Sequence, residues 1–209
     1  MDGATLQARI YHGYAQAAAH AGREYEQFRS ASAIEPTALG NSLGMIDCLF
    51  AGDPQYAMPV KYKIPTRYLY ADGTRLAQRD ILVGPYGTFF VADMQPNLAM
   101  QVTRCNDVVA INRPEYVGTE LQTGDFIASA MPCFRQFKQV EQKSVTGFGG
   151  AQNSATPLGN FWVFLPIEVG LVQQGDVVTD QTGMRYTLDT WDNTEIGVIL
   201  TIRQAEPST

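Results

Sequence analysis

The stretch whose reading decides the fold is written twice. Tyr68–Asp93 reads YLYADGTRLAQRDILVGPYGTFFVAD, and Phe164–Asp189 reads FLPIEVGLVQQGDVVTDQTGMRYTLD. Laid side by side without a gap, Leu69 falls on Leu165, Gln78 on Gln174, Asp80 on Asp176, Gly87 on Gly183 and Asp93 on Asp189. The apolar positions follow: Leu76 with Val172, Ile81 with Val177, Leu82 with Val178, Phe90 with Tyr186. Each copy runs as apolar segment, polar turn, Asp before a strand, Gly turn, aromatic strand. A recurring unit of this kind predicts stacked or duplicated small β-modules rather than one α/β enzyme core.

The flanking sequence extends both copies. In the first, Tyr68-Leu69-Tyr70 reads as a strand and Asp72-Gly73 as a hairpin signal. Asp80–Val83 and Thr88–Asp93 pair across Gly84-Pro85-Tyr86-Gly87, and Ala99–Asn106 and Val108–Arg113 continue the sheet. The second copy starts near Phe161-Trp162-Val163-Phe164-Leu165 and runs through Asp176–Thr179, Arg185–Leu188 and Gly197–Arg203. Short strands at this spacing indicate small barrels or sandwiches. Phe161–Leu165 is too apolar to face water and must be covered on both faces.

One long helix is expected over Ala4–Ala21. Leu6, Ile10, Tyr14, Ala17 and Ala21 recur at three- and four-residue steps and share a face. Asp2 or Thr5 caps its start, and Gly22 suits a left-handed position just past its end. Arg23–Ser30 fits either a continuation of this helix or an extended segment, with the extended reading preferred. Residues 31–66 carry Pro36, Gly40, Gly44, Gly52, Pro54, Pro59 and Pro65 and read as a long ordered loop, with Met45–Phe50 as a short strand or helical turn. Residues 115–160 include Gly147-Phe148-Gly149-Gly150 and read as an inserted arm or surface loop. The expected organisation is a mainly β chain of two small related barrel or sandwich modules at 67–114 and 161–209. An N-terminal helix and extended segment (1–30) and long loops (31–66, 115–160) surround them.

Composition limits the chemistry. The 209 residues carry 15 basic and 21 acidic side chains, a net charge of −6, which argues against specific nucleic-acid readout. No apolar run approaches the ~18 residues of a membrane span. Cys48, Cys105 and Cys133 cannot all pair and have no metal-ligand spacing, so they read as incidental thiols in a reducing compartment. His12 and His20 sit too far apart on the helix to chelate one metal, and no further histidine exists for a nucleophile–base pair. The aspartates lie mostly in Gly-Asp or Asp-Gly contexts that suit turn chemistry. No catalytic, cofactor or metal site is therefore expected. Candidate partner contacts are the aromatics Tyr56, Tyr62, Phe148, Phe161 and Trp162, since such rings favour interfaces.

The opening Ile10-Tyr11-His12-Gly13-Tyr14-Ala15-Gln16-Ala17-Ala18, the run Leu82–Ala92 with Gln95-Pro96, Arg104-Cys105-Asn106, Arg113-Pro114 and the closing Gly175–Asp180 with Gly183 and Tyr186 resemble a family of small virion proteins of tailed bacteriophages and prophages. The Gly-Asp-strand-Gly-Tyr-strand pattern is similar to that of head-to-tail joining and tail-completion proteins. The resemblance implies a structural protein without catalysis, made in the bacterial cytoplasm and located in the virion. Its implied partners are copies of itself in a ring-like assembly and neighbouring neck, portal or tail proteins. Fibre attachment, capsid decoration, and a carbohydrate-active β-protein using two aspartates such as Asp80 and Asp176 are the alternatives.

Overall fold

The computed structural model describes residues 2–51, 66–117, 120–138, 159–167, 169–170, 172–194 and 197–204. The helix α1 (Gly3–Ala21) is followed by twelve strands: β1 (Arg23–Phe28), β2 (Ser42–Ala51), β3 (Thr66–Tyr70), β4 (Ile81–Gly84), β5 (Gly87–Asp93), β6 (Met100–Arg104), β7 (Asp107–Val117), β8 (Glu120–Phe137), β9 (Asn160–Leu165), β10 (Val177–Asp180), β11 (Arg185–Thr194) and β12 (Gly197–Gln204). The chain is mainly β, as expected. It forms two closed, fully antiparallel six-stranded barrels in the orders β1-β2-β3-β6-β5-β4 and β7-β8-β9-β12-β11-β10. Full closure leaves neither sheet a free edge along its paired length.

The two orders are the same order, and the registers agree as well. The pair Arg23↔Cys48 corresponds to Asp107↔Cys133, and Phe28↔Ile81 to Asn112↔Val177. Leu82↔Phe89 corresponds to Val178↔Tyr186, and Phe89↔Arg104 to Tyr186↔Gln204. Leu69↔Met100 matches Val163↔Leu200, and Phe50↔Leu69 matches Arg135↔Val163, so the ring closes consistently all the way round. Barrel one and barrel two therefore share strand order and stagger.

This register corrects part of the ungapped alignment. Gln78/Gln174, Asp80/Asp176, Ile81/Val177 and Leu82/Val178 are true equivalents. The β10–β11 hairpin is one residue longer than β4–β5, so Tyr186 matches Phe89 rather than Phe90. In β9 the slip is two residues, and Leu69 matches Val163 rather than Leu165. A one-residue slip exchanges the two faces of a strand, and here it decides which aromatic enters the lumen. The modules also start earlier than the repeat suggested. Barrel one draws β1 and β2 from segments 1–30 and 31–66, and barrel two draws β7 from 67–114 and β8 from 115–160. The loop reading of 42–44 gives way to strand because Ser42–Ala51 pairs with β1 on one side and β3 on the other.

Tyr25, Ile46, Cys48, Leu69, Leu82, Phe89, Val91, Met100 and Val102 fill barrel one. Its outer positions Phe28, Ile81, Phe90 and Ala92 belong instead to the cluster that contains the core of barrel two. Consecutive burial along Phe89–Ala92 follows, one face in the lumen and the other against the second barrel. Val163–Leu165 is likewise buried at consecutive positions, all three in the larger cluster. The connection after β1 ties the units together, with Ser129 N–H donating to Ala33 O and Glu35 N–H to Ser129 O.

The helix lies against β2 and β3, with the Tyr14 and Tyr70 rings edge to face at 5.0 Å. Asp2 caps it by accepting from Thr5 N–H at 2.8 Å. Its packed face is displaced from the expected stripe: Ala18 is buried and Tyr11 covers Gly73, while Leu6, Ala17 and Ala21 are exposed. Gly22 is extended (φ −81°), not left-handed. What requires glycine is proximity, since a Cβ there would meet the Ala18 and Cys48 carbonyls at 2.5 and 2.7 Å.

Candidate functional site

Aspartates in the duplicated turn are structural locks, one per barrel. Asp80 follows a turn in which its own N–H donates to Ala77 O, and its Oδ2 accepts from Ala77 N–H at 2.8 Å. Asp176 repeats this with Gln173, at 2.6 Å for the side-chain bond. The residue before each aspartate has positive φ, Arg79 at 76° and Gly175 at 94°. Each carboxylate is then gripped by an arginine fork, from Arg29 just past the end of β1 and from Arg113 within β7. Arg29 Nε and Nη2 reach Asp80 at 2.7 Å each, and Arg113 Nε and Nη2 reach Asp176 at 3.1 and 3.2 Å. Ladder geometry dictates the pairing: Phe28 faces Ile81 and Asn112 faces Val177, so the next residue outward meets the preceding aspartate. The Gly-Asp context of Asp176, aligned with Asp80, signals the turn role; nothing local signals the arginine partners, which lie 51 and 63 residues away in the chain.

The end of barrel two is closed by a further ion cluster. Arg135 Nη1 donates to Asp180 Oδ2 at 2.7 Å and to the Tyr186 hydroxyl at 2.7 Å, and its Nε lies 2.9 Å from Asp107 Oδ2. The guanidinium carbon lies 5.4 Å from the centre of the Phe161 ring and 5.3 Å from that of Tyr186, a doubly cation–π geometry. Burial works to raise the Asp180 pKa. Hydrogen bonds from the Thr182 hydroxyl, Arg135 and the Met184 and Thr182 amides outweigh it and hold that carboxyl down at about 2. All four buried carboxylates among the described residues, Asp80, Asp107, Asp176 and Asp180, are thus held by arginine.

At the matching end of barrel one, Phe50 stacks on Phe89 with centroids 4.3 Å apart, and Tyr25 meets both edge to face. The Tyr25 hydroxyl accepts from Tyr86 N–H at 3.2 Å. Two clefts open here and share Arg67. One, of about 630 Å³, runs to Arg104, Asn106, Asp107 and Phe134; the other, of about 260 Å³, is lined by Arg23, Phe50, Tyr86 and Phe89.

Of the expected contact aromatics, Tyr56, Tyr62 and Phe148 lie outside the described residues. Phe161 and Trp162 are adjacent on β9 and half-buried; Phe161 is engaged by Arg135, Phe137 and Tyr186, and Trp162 by Lys138 at 5.5 Å. Of the exposed large apolar side chains, Phe137 packs on Phe161 and most others lie elsewhere. Leu39 is 85% exposed, with Leu43 and Met45 close by in sequence at about half exposure, and Tyr86, Phe126 and Trp191 also face outward. Cys48, Cys105 and Cys133 are free, and burial pushes the first two thiols up to about 12 and the third upward as well, which suppresses thiolate chemistry. Among the described residues no group of three potential ligands is placed to hold a metal ion, and no helix is long and apolar enough to cross a membrane. Comparison of the chain with protein-family models, curated proteins and solved structures finds no match.

Proposed function

We propose that this chain is a structural subunit of a tailed-bacteriophage particle, at the head-to-tail neck or in the tail, acting through protein–protein contacts with copies of itself and its neighbours. The observation that carries this reading is the commitment of every buried carboxylate among the described residues to an arginine. Carboxylates fixed by such forks stiffen a scaffold and are poorly placed to exchange protons with a substrate. Asp80 and Asp176, the pair an acid–base hydrolase would need, occupy the same place in two different barrels. The resemblance of the Leu82–Ala92 and Gly175–Asp180 segments to phage virion proteins supplies the biological setting, and the exposed Leu39, Leu43 and Met45 supply apolar surface for contacts.

Mass spectrometry of purified virions tests it. The chain is expected among the virion proteins, and labelled density in a particle reconstruction is expected at the neck or tail. Density on the capsid surface or at the fibres would move the assignment within the particle, and absence from the virion would end it. Zymography on cell-wall substrate gives the complementary check. No clearing is expected, and an activity abolished by Asp80→Asn or Asp176→Asn in a folded chain would overturn the structural reading.

A further inference from the structure

Matched registers allow the two barrel ends to be compared position by position. Where barrel two has Arg135, barrel one has Phe50; where it has Phe161, barrel one has Arg67. Cation and ring have traded places. The two carboxylates have not been kept: Arg23 stands at the Asp107 position and Gly84 at the Asp180 position. An aspartate at 84 is barred by packing, because a Cβ there would meet the Tyr25 ring at 2.5 Å. Arg104 enters beside Phe89, its ladder partner. Arg23, Arg67 and Arg104 are exposed, and none forms an ion pair with a carboxylate among the described residues. This three-arginine mouth belongs to a chain whose net charge is −6.

We propose that the end of barrel one binds a carboxylate side chain on an acidic segment of another polypeptide, which supplies from outside what Asp107 and Asp180 supply to Arg135 within barrel two. Arginine forks match carboxylates in a two-point geometry. Phe50 and Phe89 line the smaller cleft beside Arg23 and Arg67 and set apolar surface next to that contact, which lowers the local dielectric and strengthens it. Phe134 and Pro132 on the larger cleft suit the apolar neighbours of an acid in a peptide rather than a bare inorganic ion. Asp107 also lines that cleft, but its charge is taken by Arg135. That the occupant is a neighbouring subunit rests on the reading above; the chemistry of the site does not.

The test is fluorescence anisotropy of a labelled polyglutamate peptide with the full chain. Binding is expected, falling with added salt, and weakened about tenfold or more in the Arg67→Gln/Arg104→Gln variant, a loss of about 1.4 kcal/mol. Arg23→Asp, which places a carboxylate where barrel two has Asp107, is expected to block the peptide equally. Unchanged thermal unfolding of the Gln variant would show that the loss is of binding and not of folding. No binding, or binding indifferent to these substitutions, overturns the proposal, as does equal displacement by inorganic phosphate. A chain found in virions that ignores the peptide would sink this inference and leave the subunit assignment standing, while a peptide-binding chain absent from virions would do the reverse.

Discussion

Barrel one and barrel two are the same scaffold finished in two ways. Each is a six-stranded ring with the same strand order and stagger, locked by one Arg–Asp fork at the same turn. They part company at one end, where barrel two satisfies its arginine internally and barrel one leaves three arginines facing outward. The locks belong to the architecture, since they fix where β4 meets β1 and β10 meets β7. The ends are free to differ because strand pairing does not depend on them. What varies between two copies of one scaffold is where specialisation is to be sought.

The largest test of this contrast is Arg135→Ala. It strands Asp107 and Asp180, both buried, without a counter-charge, and breaking a buried pair in this way costs about 3–5 kcal/mol. Denaturant unfolding is expected to show that loss. A change within 1 kcal/mol would mean that the cluster is not what closes barrel two.

Next in size are the two locks, which must behave alike if the barrels are equivalent. Asp80→Asn and Asp176→Asn each weaken charged hydrogen bonds to a fork and to a turn amide, at about 1.5–3 kcal/mol per lock. Arg29 and Arg113 are partly exposed and can turn to water once released, which keeps both losses below that of Arg135→Ala. Urea titrations of the two variants are expected to agree within about 1 kcal/mol. Strong inequality would show that one fork matters and the other merely accompanies it.

Sequence reading reached the barrels through β4 and β10, where turn and strand are identical in length, and it identified both lock aspartates there. It stopped where the copies slip. Leu69 with Leu165 and Phe90 with Tyr186 look like matches by residue type, yet a β9–β10 connection two residues longer than β3–β4 and a β10–β11 hairpin one residue longer than β4–β5 put them out of register. The pair Cys48 and Cys133, equivalent in the two barrels, was the signal that could have carried the repeat back into β1–β2 and β7–β8. Glycine and proline at 36–44 hid β2, because punctuation density describes the connection and the first residues of the strand equally. The Arg29–Asp80, Arg113–Asp176 and Arg135–Asp180 contacts were illegible for another reason: each joins positions more than 40 residues apart, and only closing the ring brings them together. The helix was found, but not its buried face, since Tyr11 and Tyr14 are held by ring packing rather than by the most regular apolar stripe.

A smaller effect separates the barrels by acid. The Asp180 carboxyl is held at about 2 against an ordinary value of 3.8, so its contribution is complete above pH 4 and is lost as pH falls from there through about 2. The sign follows from linkage: below the unfolded value the unfolded chain binds the proton that the folded one refuses, and folding weakens by on the order of 2 kcal/mol. Barrel one carries Gly84 at that position and has no such proton to take up. Near-ultraviolet circular dichroism between pH 4 and 2 is expected to show stability falling in the wild type and falling less in Asp180→Asn. Equal acid sensitivity would place the titration elsewhere.

The smallest expected effect is the most telling about design. Replacing Arg67 and Arg104 by Gln removes two cations from the end of barrel one, as Arg135→Ala removes one from barrel two, but no carboxylate among the described residues is left stranded. Exposed substitutions of this kind stay within about 0.5 kcal/mol per site. Loss of the mutual repulsion between neighbouring cations even favours a slight gain at low salt. Thermal unfolding should therefore move by no more than a few degrees and should lose its salt dependence. A drop approaching that of Arg135→Ala would show that these arginines hold barrel one together, and the difference between a self-satisfied end and an outward-facing one would vanish with it.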